Sequence, residues 1–296
     1  MGYRRPGSVG LEVAGPFAQI SDGYFYIGRV CRNVVPFRHP VCLFPPIDSG
    51  TLNLQATAQP GVTNVDAGPL TTALTVSADQ LTAIVPGLKN ATAVSGRMNT
   101  AISDAGLTTM IGVSMFIAQV AHESDRFKKL EEDGGKTVYN KKTKTQSSYK
   151  KYRDTKESLR NKDDEAFDYF FFMYDKESPA ENRQKVAKDL GNTEAGDGVK
   201  FRGRGYIQIT GRTNYSNAGT ALNLTLVESP DLASDPTNAA RIAGWFWKSH
   251  GCNTHANTNT VAAFTKVTKI INGGTNGLED RKTLWTAAKT ALGVKD

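Results

Sequence analysis

The stretch AQVAHESDRFKKLEED, residues 118–133, decides how this chain is read. An apolar run ends in His122-Glu123, breaks into charge, and offers Glu132 nine residues after the first glutamate. On an uninterrupted α-helix that spacing is 2.5 turns, with the two carboxylates on opposite faces and roughly 13–14 Å apart along the axis. Such a pair cannot act on one bond. Ser124-Asp125-Arg126, followed by Phe127 and KKLEEDGG, predicts instead that the helix stops near Ser124 and that the chain turns back. Two carboxyls about 6.5–9.5 Å apart leave room for a water, as inverting glycoside hydrolysis requires, and about 5 Å suits the retaining reaction. Spacing alone leaves both open, along with a pair of solvated surface glutamates. A zinc-protease reading fails, because position 126 is Arg where a second His is needed.

Outward from this stretch, the chain has two textures. Residues 1–75 are rich in Gly, Pro, Thr and Ala; DGYFYIGRVC and PVCLF have strand composition, and the segment from Thr51 reads as an extended linker or short strands. From residue 76 the period becomes helical. SADQLTAIVPGL opens on a Ser cap, ATAVSGRMNTAISDAG ends near Gly106, and TTMIGVSMFIAQVAHES predicts a buried helix. EAFDYFFFMYD, ENRQKVAKDLG, PTNAARIAGWFWKSHG, TVAAFTKVTKIING and GLEDRKTLWTAAKTAL predict further helices. The expected fold is a mainly α domain over 76–296, preceded by a small β-rich region over 1–75.

Composition narrows the function classes. No apolar run reaches the roughly 18–20 residues of a membrane span. The N-terminal sequence lacks the apolar core of a secretory signal, and Pro6 spoils a myristoylation signal. Cys31, Cys42 and Cys252 are too few for a disulfide framework and fit a reducing compartment. The net charge of +7 is concentrated: Lys136–Lys162 alone carries +8, leaving the rest of the chain at −1. Three tyrosines, Tyr139, Tyr149 and Tyr152, interleave with those cations, as in a surface that stacks nucleic-acid bases, but nothing else in the chain supports nucleic-acid binding. A solvated lysine-rich insertion reads equally well.

The segment GDGVKFRGRGYIQITGRTNY, residues 196–215, carries the decisive pattern. Its glycines imply turns and close backbone approach, and YIQIT alternates like a short strand. Gln208, Thr210 and Asn214 supply uncharged groups suited to sugar hydroxyls and acetamides, while Arg202 and Arg204 can hold carboxylates. GRGYIQ lacks the third glycine of a dinucleotide loop, GGTNG lacks the Lys-Ser/Thr of a phosphate loop, and HGCNTH matches no zinc spacing, so neither metal nor cofactor is expected. Trp245, Trp247 and Trp285 sit at helical positions and read as core.

FIAQVAHES, FRGRGYIQITGRTNY and IINGGTNGLEDR together resemble, in order, the motifs of family 19 glycoside hydrolases, the lysozyme-like family of plant-type chitinases and many phage endolysins. The resemblance covers residues 76–296, is nearest the endolysin branch, and implies an α+β lysozyme-like fold and inverting hydrolysis. By that resemblance Glu123 is the general acid, Glu132 rather than its neighbour Glu131 the general base, and Thr210 holds the attacking water. It places Gln208, Asn214 and Asn272 on the substrate, Arg281 in support of the carboxylates, and Tyr206 and His122 as weaker substrate contacts. Desolvation at the end of an apolar helix would keep Glu123 protonated, and Lys128 and Lys129 would keep Glu132 ionised. The expected substrate is peptidoglycan, whose glycan strands carry carboxylates, with chitin as the alternative. The expected setting is a phage protein made in the host cytoplasm and acting on the wall. It would be either a free endolysin or a virion protein docked into a tail or baseplate through residues 1–75. A structural tail protein with an inactive lysozyme-like domain is the remaining reading.

Overall fold

A computed structural model describes residues 17–21, 24–28 and 74–295. The chain divides into two units, 1–67 and 68–296. In the first, β1 (Phe17–Ser21) and β2 (Tyr24–Gly28) pair antiparallel, Phe17 opposite Gly28 and Ser21 opposite Tyr24. β2 falls in the DGYFYIGRVC stretch read as a strand. PVCLF and most of the segment from Thr51 lie outside the described residues.

The second unit begins with α1 (Ala78–Ile84), started by a capping box in which Ser77 Oγ accepts from Gln80 N–H and the Gln80 side chain accepts from Ser77 N–H. α2 (Ala91–Asp104) follows, then α3 (Met110–Glu123), capped by Thr109. α3 is buried continuously from Gly112 to Ala121, as its unbroken apolar run requires. The core closes around it with α9 (Pro236–Ser249), α11 (Val261–Asn272) and α12 (Leu278–Leu292). α12 lies along α3. α9 packs on α2 at Gly244, where a Cβ would meet Ala101 O at 2.5 Å. Trp247 and Trp285 are buried as expected, Trp285 stacked on Phe264 at 4.5 Å, and Trp245 is half-buried against the same core.

The segment between Glu132 and Gly196 differs from its sequence reading. The lysine-rich part is folded, into a three-stranded antiparallel sheet ordered β4 (Thr145–Ser148), β3 (Lys136–Asn140), β5 (Asp164–Asp168), with α4 (Tyr149–Asp154) beside it. EAFDYFFFMYD is half strand: β5 ends at Asp168, whose side chain caps the short α5 (Tyr169–Tyr174). α6 (Glu181–Asp189) leads into the glycine-rich segment, which opens with α7 (Asp197–Lys200) and runs into α8 (Arg212–Leu222). YIQIT is not a strand but a tight turn joined by single bridges, Glu131 to Arg204 and Arg204 to Ile209. HGCNTH forms a turn and α10 (Asn253–Ala256); burial pushes the Cys252 thiol up to about 12.

Candidate active site

α3 delivers Glu123 at its last turn, and the chain reverses immediately afterwards. Asp125, Arg126 and Phe127 all adopt left-handed backbone, at φ 46°, 60° and 63°. For non-glycine residues this conformation costs roughly 1–2 kcal/mol each, so the surroundings must hold it. Buried Ser124 does much of this: its Oγ donates to Val120 O at 2.7 Å and accepts from Phe127 N–H at 3.0 Å. Phe127 packs edge-on against Tyr206, and Arg126 is paired with Asp280. Strain concentrated between two candidate catalytic groups is the pattern expected of a positioned site.

The reversed chain then pairs with the glycine-rich segment. Glu132 N–H donates to Gly203 O at 2.9 Å, and Gly205 N–H donates to Leu130 O at 2.8 Å. The Glu132 carboxylate accepts from Tyr174 Oη at 2.8 Å and from Gly203 N–H at 3.3 Å. Gly203 fits closely here: a Cβ would stand 3.0 Å from Glu132 Oε2 and 3.1 Å from Gln208 Oε1, so both side chains would have to give by a few tenths of an ångström. Gln208, itself at φ 53°, is pinned by its Nε2 donating to Gly205 O at 2.7 Å. Burial, and then the charge of Glu132, push the Tyr174 hydroxyl far above its usual range, so it stays a donor. Tyr169 lies against the same carboxylate and is raised for the same reasons.

Glu123 is held differently. Its Oε1 pairs with the Arg281 guanidinium, which is 1 % exposed and also donates to Gln119 Oε1 at 2.6 Å. Gln119 in turn donates to Thr268 Oγ1 at 2.7 Å, tying α3, α11 and α12 together beneath the carboxylate. Arg281 therefore positions Glu123 and is too buried to meet a substrate. His122 Nδ1 lies 2.6 Å from Asp280 Oδ2, with Gly277 packed against its ring. Burial pushes the Asp280 carboxyl up, but the hydrogen bonds and charges of Arg126 and His122 outweigh it and hold it below the usual carboxylate range.

The remaining expected residues divide. Thr210 Oγ1 donates to Gln208 O within the turn, and Asn214, in the first turn of α8, donates its Nδ2 to Thr210 O. Asn272 ends α11 with a buried Oδ1 that has no hydrogen-bond partner among the described residues. Tyr206 is 1 % exposed and packed between Phe127 and Arg97. Among the described residues neither Lys128 nor Lys129 forms an ion pair with Glu132, and Lys129 pairs with Asp133. Arg202 and Arg204 do hold carboxylates, but the protein's own: both contact Glu131, and Arg204 also donates to Asp231 at 2.7 Å. Burial raises the Glu131 carboxyl, and Ser234 with the two arginines pulls it below its usual range; it is fully engaged as a structural ion.

Sequence reasoning missed Tyr169, Tyr174, Asp280 and Gln119. The first two sit inside FFFMYD and its flank, which read only as a helix; Gln119, a polar residue one helical turn before Glu123 on an apolar helix, was a usable signal. Among the described residues no group of His, Cys, Asp and Glu is placed to hold a metal, and no helix is long and apolar enough to cross a membrane.

Residues 153–285 match the family model Glyco_hydro_19, described as chitinase class I. A glycosyl hydrolase family 19 domain-containing protein of Haemophilus influenzae is 32 % identical over 194 residues, 63 % of this chain and 82 % of the relative. Acidic endochitinase Q of Nicotiana tabacum is 37 % identical over 92 residues, 25 % of this chain and 36 % of the plant protein. The crystal structure of chitinase C from Streptomyces griseus superposes with a TM-score of 0.47 at 20 % identity, covering 74 % of this chain and 76 % of that one.

Proposed function

Because this chain belongs to glycoside hydrolase family 19, we propose that it hydrolyses the β-1,4 glycosidic bonds of peptidoglycan by inversion, as a phage lytic enzyme. The observation that carries the chemistry is the unlike support of two carboxylates on either side of one strained reversal. Glu123 Oε1 is fixed by Arg281, and among the described residues its Oε2 has no hydrogen-bond partner. In the proposed reaction Oε2 protonates the glycosidic oxygen, and the C1–O bond breaks. Arg281 stabilises the carboxylate left behind. Glu132 takes a proton from a water whose oxygen adds to C1 from the opposite face, with Thr210 and Gln208 orienting it. The ring passes through oxocarbenium character, and the product is the inverted anomer.

Charge supports the choice of polymer. The +8 segment is folded into the sheet that leads directly to α5, the helix carrying Tyr169 and Tyr174. Lys136, Tyr149, Lys150 and Tyr169 line one groove, and Tyr169 also lies against Glu132. A groove of this charge suits glycan strands bearing lactyl and peptide carboxylates; neutral chitin gives no reason for it. The similarity to endochitinases favours chitin as the second reading.

The test is mass spectrometry of borohydride-reduced fragments from sacculi digested by the purified protein. Reduced amino-sugar ends establish a glycosidase on peptidoglycan, and their identity, muramic acid or glucosamine, fixes the bond cut. Intact sacculi beside cleaved chitin oligomers would overturn the reading. Presence of the protein in purified particles would separate a virion component from a free endolysin.

A further inference from the structure

A cleft of about 760 Å³, with neither glutamate in its lining, lies between the α1–α2 connection, the reversal after α3 and α12. That volume lies within the roughly 300–1,000 Å³ of ligand pockets. Four cations line it, Lys89, Arg97, Arg126 and Lys128, and no Asp or Glu does. Lys89 and Lys128 are exposed at its rim and form no ion pair among the described residues. Arg97 is half-buried against the Tyr206 hydroxyl, and Arg126 is paired with Asp280. Val94, Phe127 and Leu284 give the cleft an apolar floor between the cations.

We propose that this cleft binds an acidic peptide and that its occupancy acts on the hydrolytic site. The lining argues for a peptide of alternating character. Aliphatic side chains would cover the floor while carboxylates meet Lys89, Lys128 and Arg97. The floor is interrupted by cations and gives no continuous apolar channel for an acyl chain. The cleft is too small to seat a folded domain.

Coupling to the glutamates follows from shared residues. Arg126 and Phe127 belong to the left-handed reversal. Arg126 holds Asp280, which holds His122, the neighbour of Glu123. On the other side, Leu130 lines the cleft and its carbonyl anchors the pairing that sets Glu132. A peptide seated here braces a strained segment that has a candidate catalytic glutamate on either side of it.

The experiment is calorimetric titration of the full-length protein with acetyl-Ala-Glu-Ala-Glu-Ala-amide and with its Gln counterpart. The acidic peptide is expected to bind at least about tenfold more tightly than the neutral one. The double variant Lys89→Gln, Lys128→Gln should lose about tenfold of that affinity, the effect of two exposed ion pairs. Its thermal unfolding and its hydrolysis without peptide should be unchanged, because neither lysine touches the glutamates. Adding acidic peptide should change the hydrolysis rate of the wild type and not of the double variant. Equal affinity for the two peptides, no binding of either, unchanged affinity in the double variant, or an unaltered wild-type rate at saturation would overturn the proposal. Tighter binding of inorganic phosphate or dodecanoate at the same cleft would overturn it as well.

Discussion

Glu123 and Glu132 are held by opposite means. Glu123 stands on a rigid helix and is gripped by one buried cation, itself braced by Gln119 and Thr268 on two other elements. Glu132 stands on a reversed segment and is held by neutral donors, a tyrosine hydroxyl and a backbone N–H. On that side the formal charges sit one layer back, in Glu131 with Arg202 and Arg204, and in Asp197 with Arg212. The difference suits the proposed division of labour. A group that must give up a proton gains from a cation that stabilises what remains; a group that must accept one would be weakened by a cation at the same distance.

The comparison breaks most sharply at Glu123 itself. Glu123→Gln should lower hydrolysis by roughly 10²–10⁴-fold, the usual worth of a positioned acid, with thermal unfolding close to wild type, because Gln can still accept from Arg281. A well-folded variant with near-normal activity would remove Glu123 from the chemistry. The next effect is on stability. Arg281→Met leaves Glu123 and Gln119 without their shared donor, and breaking a buried pair costs about 3–5 kcal/mol. Glu123 keeps 17 % of its side-chain exposure, so a loss near the lower end is expected in chemical denaturation. A loss below about 1 kcal/mol would mean that the ion pair is not the brace described.

Tyr174→Phe probes the other side, with a smaller effect. It removes one donor to Glu132 and leaves Gly203 and Tyr169 in place, so kcat should fall about tenfold, close to the lower end of the roughly 1.5–3 kcal/mol of one hydrogen bond to a charged group, with KM little changed. An equal loss in kcat and gain in KM would instead make Tyr174 a substrate contact. Gly203→Ala should lower kcat as well, because its Cβ would push the Glu132 and Gln208 side chains by a few tenths of an ångström.

Much of this arrangement was legible in the residues, and the illegible parts share a physical cause. The helices announced themselves through apolar periodicity and, at α1, through the Ser77 cap, which acts on its own neighbours as Thr109 and Asp235 do at α3 and α9. The end of α3 was readable from the charges after Ser124. The left-handed run was not, since Arg126 and Phe127 have no intrinsic liking for it and are held there by Asp280 and Tyr206, far along the chain. The three-stranded sheet was hidden because β4 is fully exposed and β5 half so, and because β3 finds β5 across a lysine-rich span that offers no alternation. YIQIT alternates, yet Gln208 takes positive φ and the run closes into a turn around Arg204. Local signals reported local structure; contacts between distant segments set the rest.

The smallest effect tests the charges placed one layer behind Glu132. Asp197 is 2 % exposed and accepts two hydrogen bonds from Arg212, at 2.6 and 2.8 Å, at the start of the segment that supplies Gly203. Burial raises its carboxyl, but Arg212 and backbone donors outweigh burial and hold it below its usual range. A folded value below the unfolded value of about 3.9 means that the stabilisation is complete above that pH. It is lost as the pH falls through the folded value. Wild-type denaturation midpoints should therefore decline below about pH 4, and Asp197→Asn should flatten that decline while starting from a lower midpoint at neutral pH. If the variant keeps the full acid dependence, Asp197 is not among the groups that set it. The loop behind Glu132 would then be held by Glu131 and its arginines, which places the load of the neutral side on the bridge to Arg204 instead.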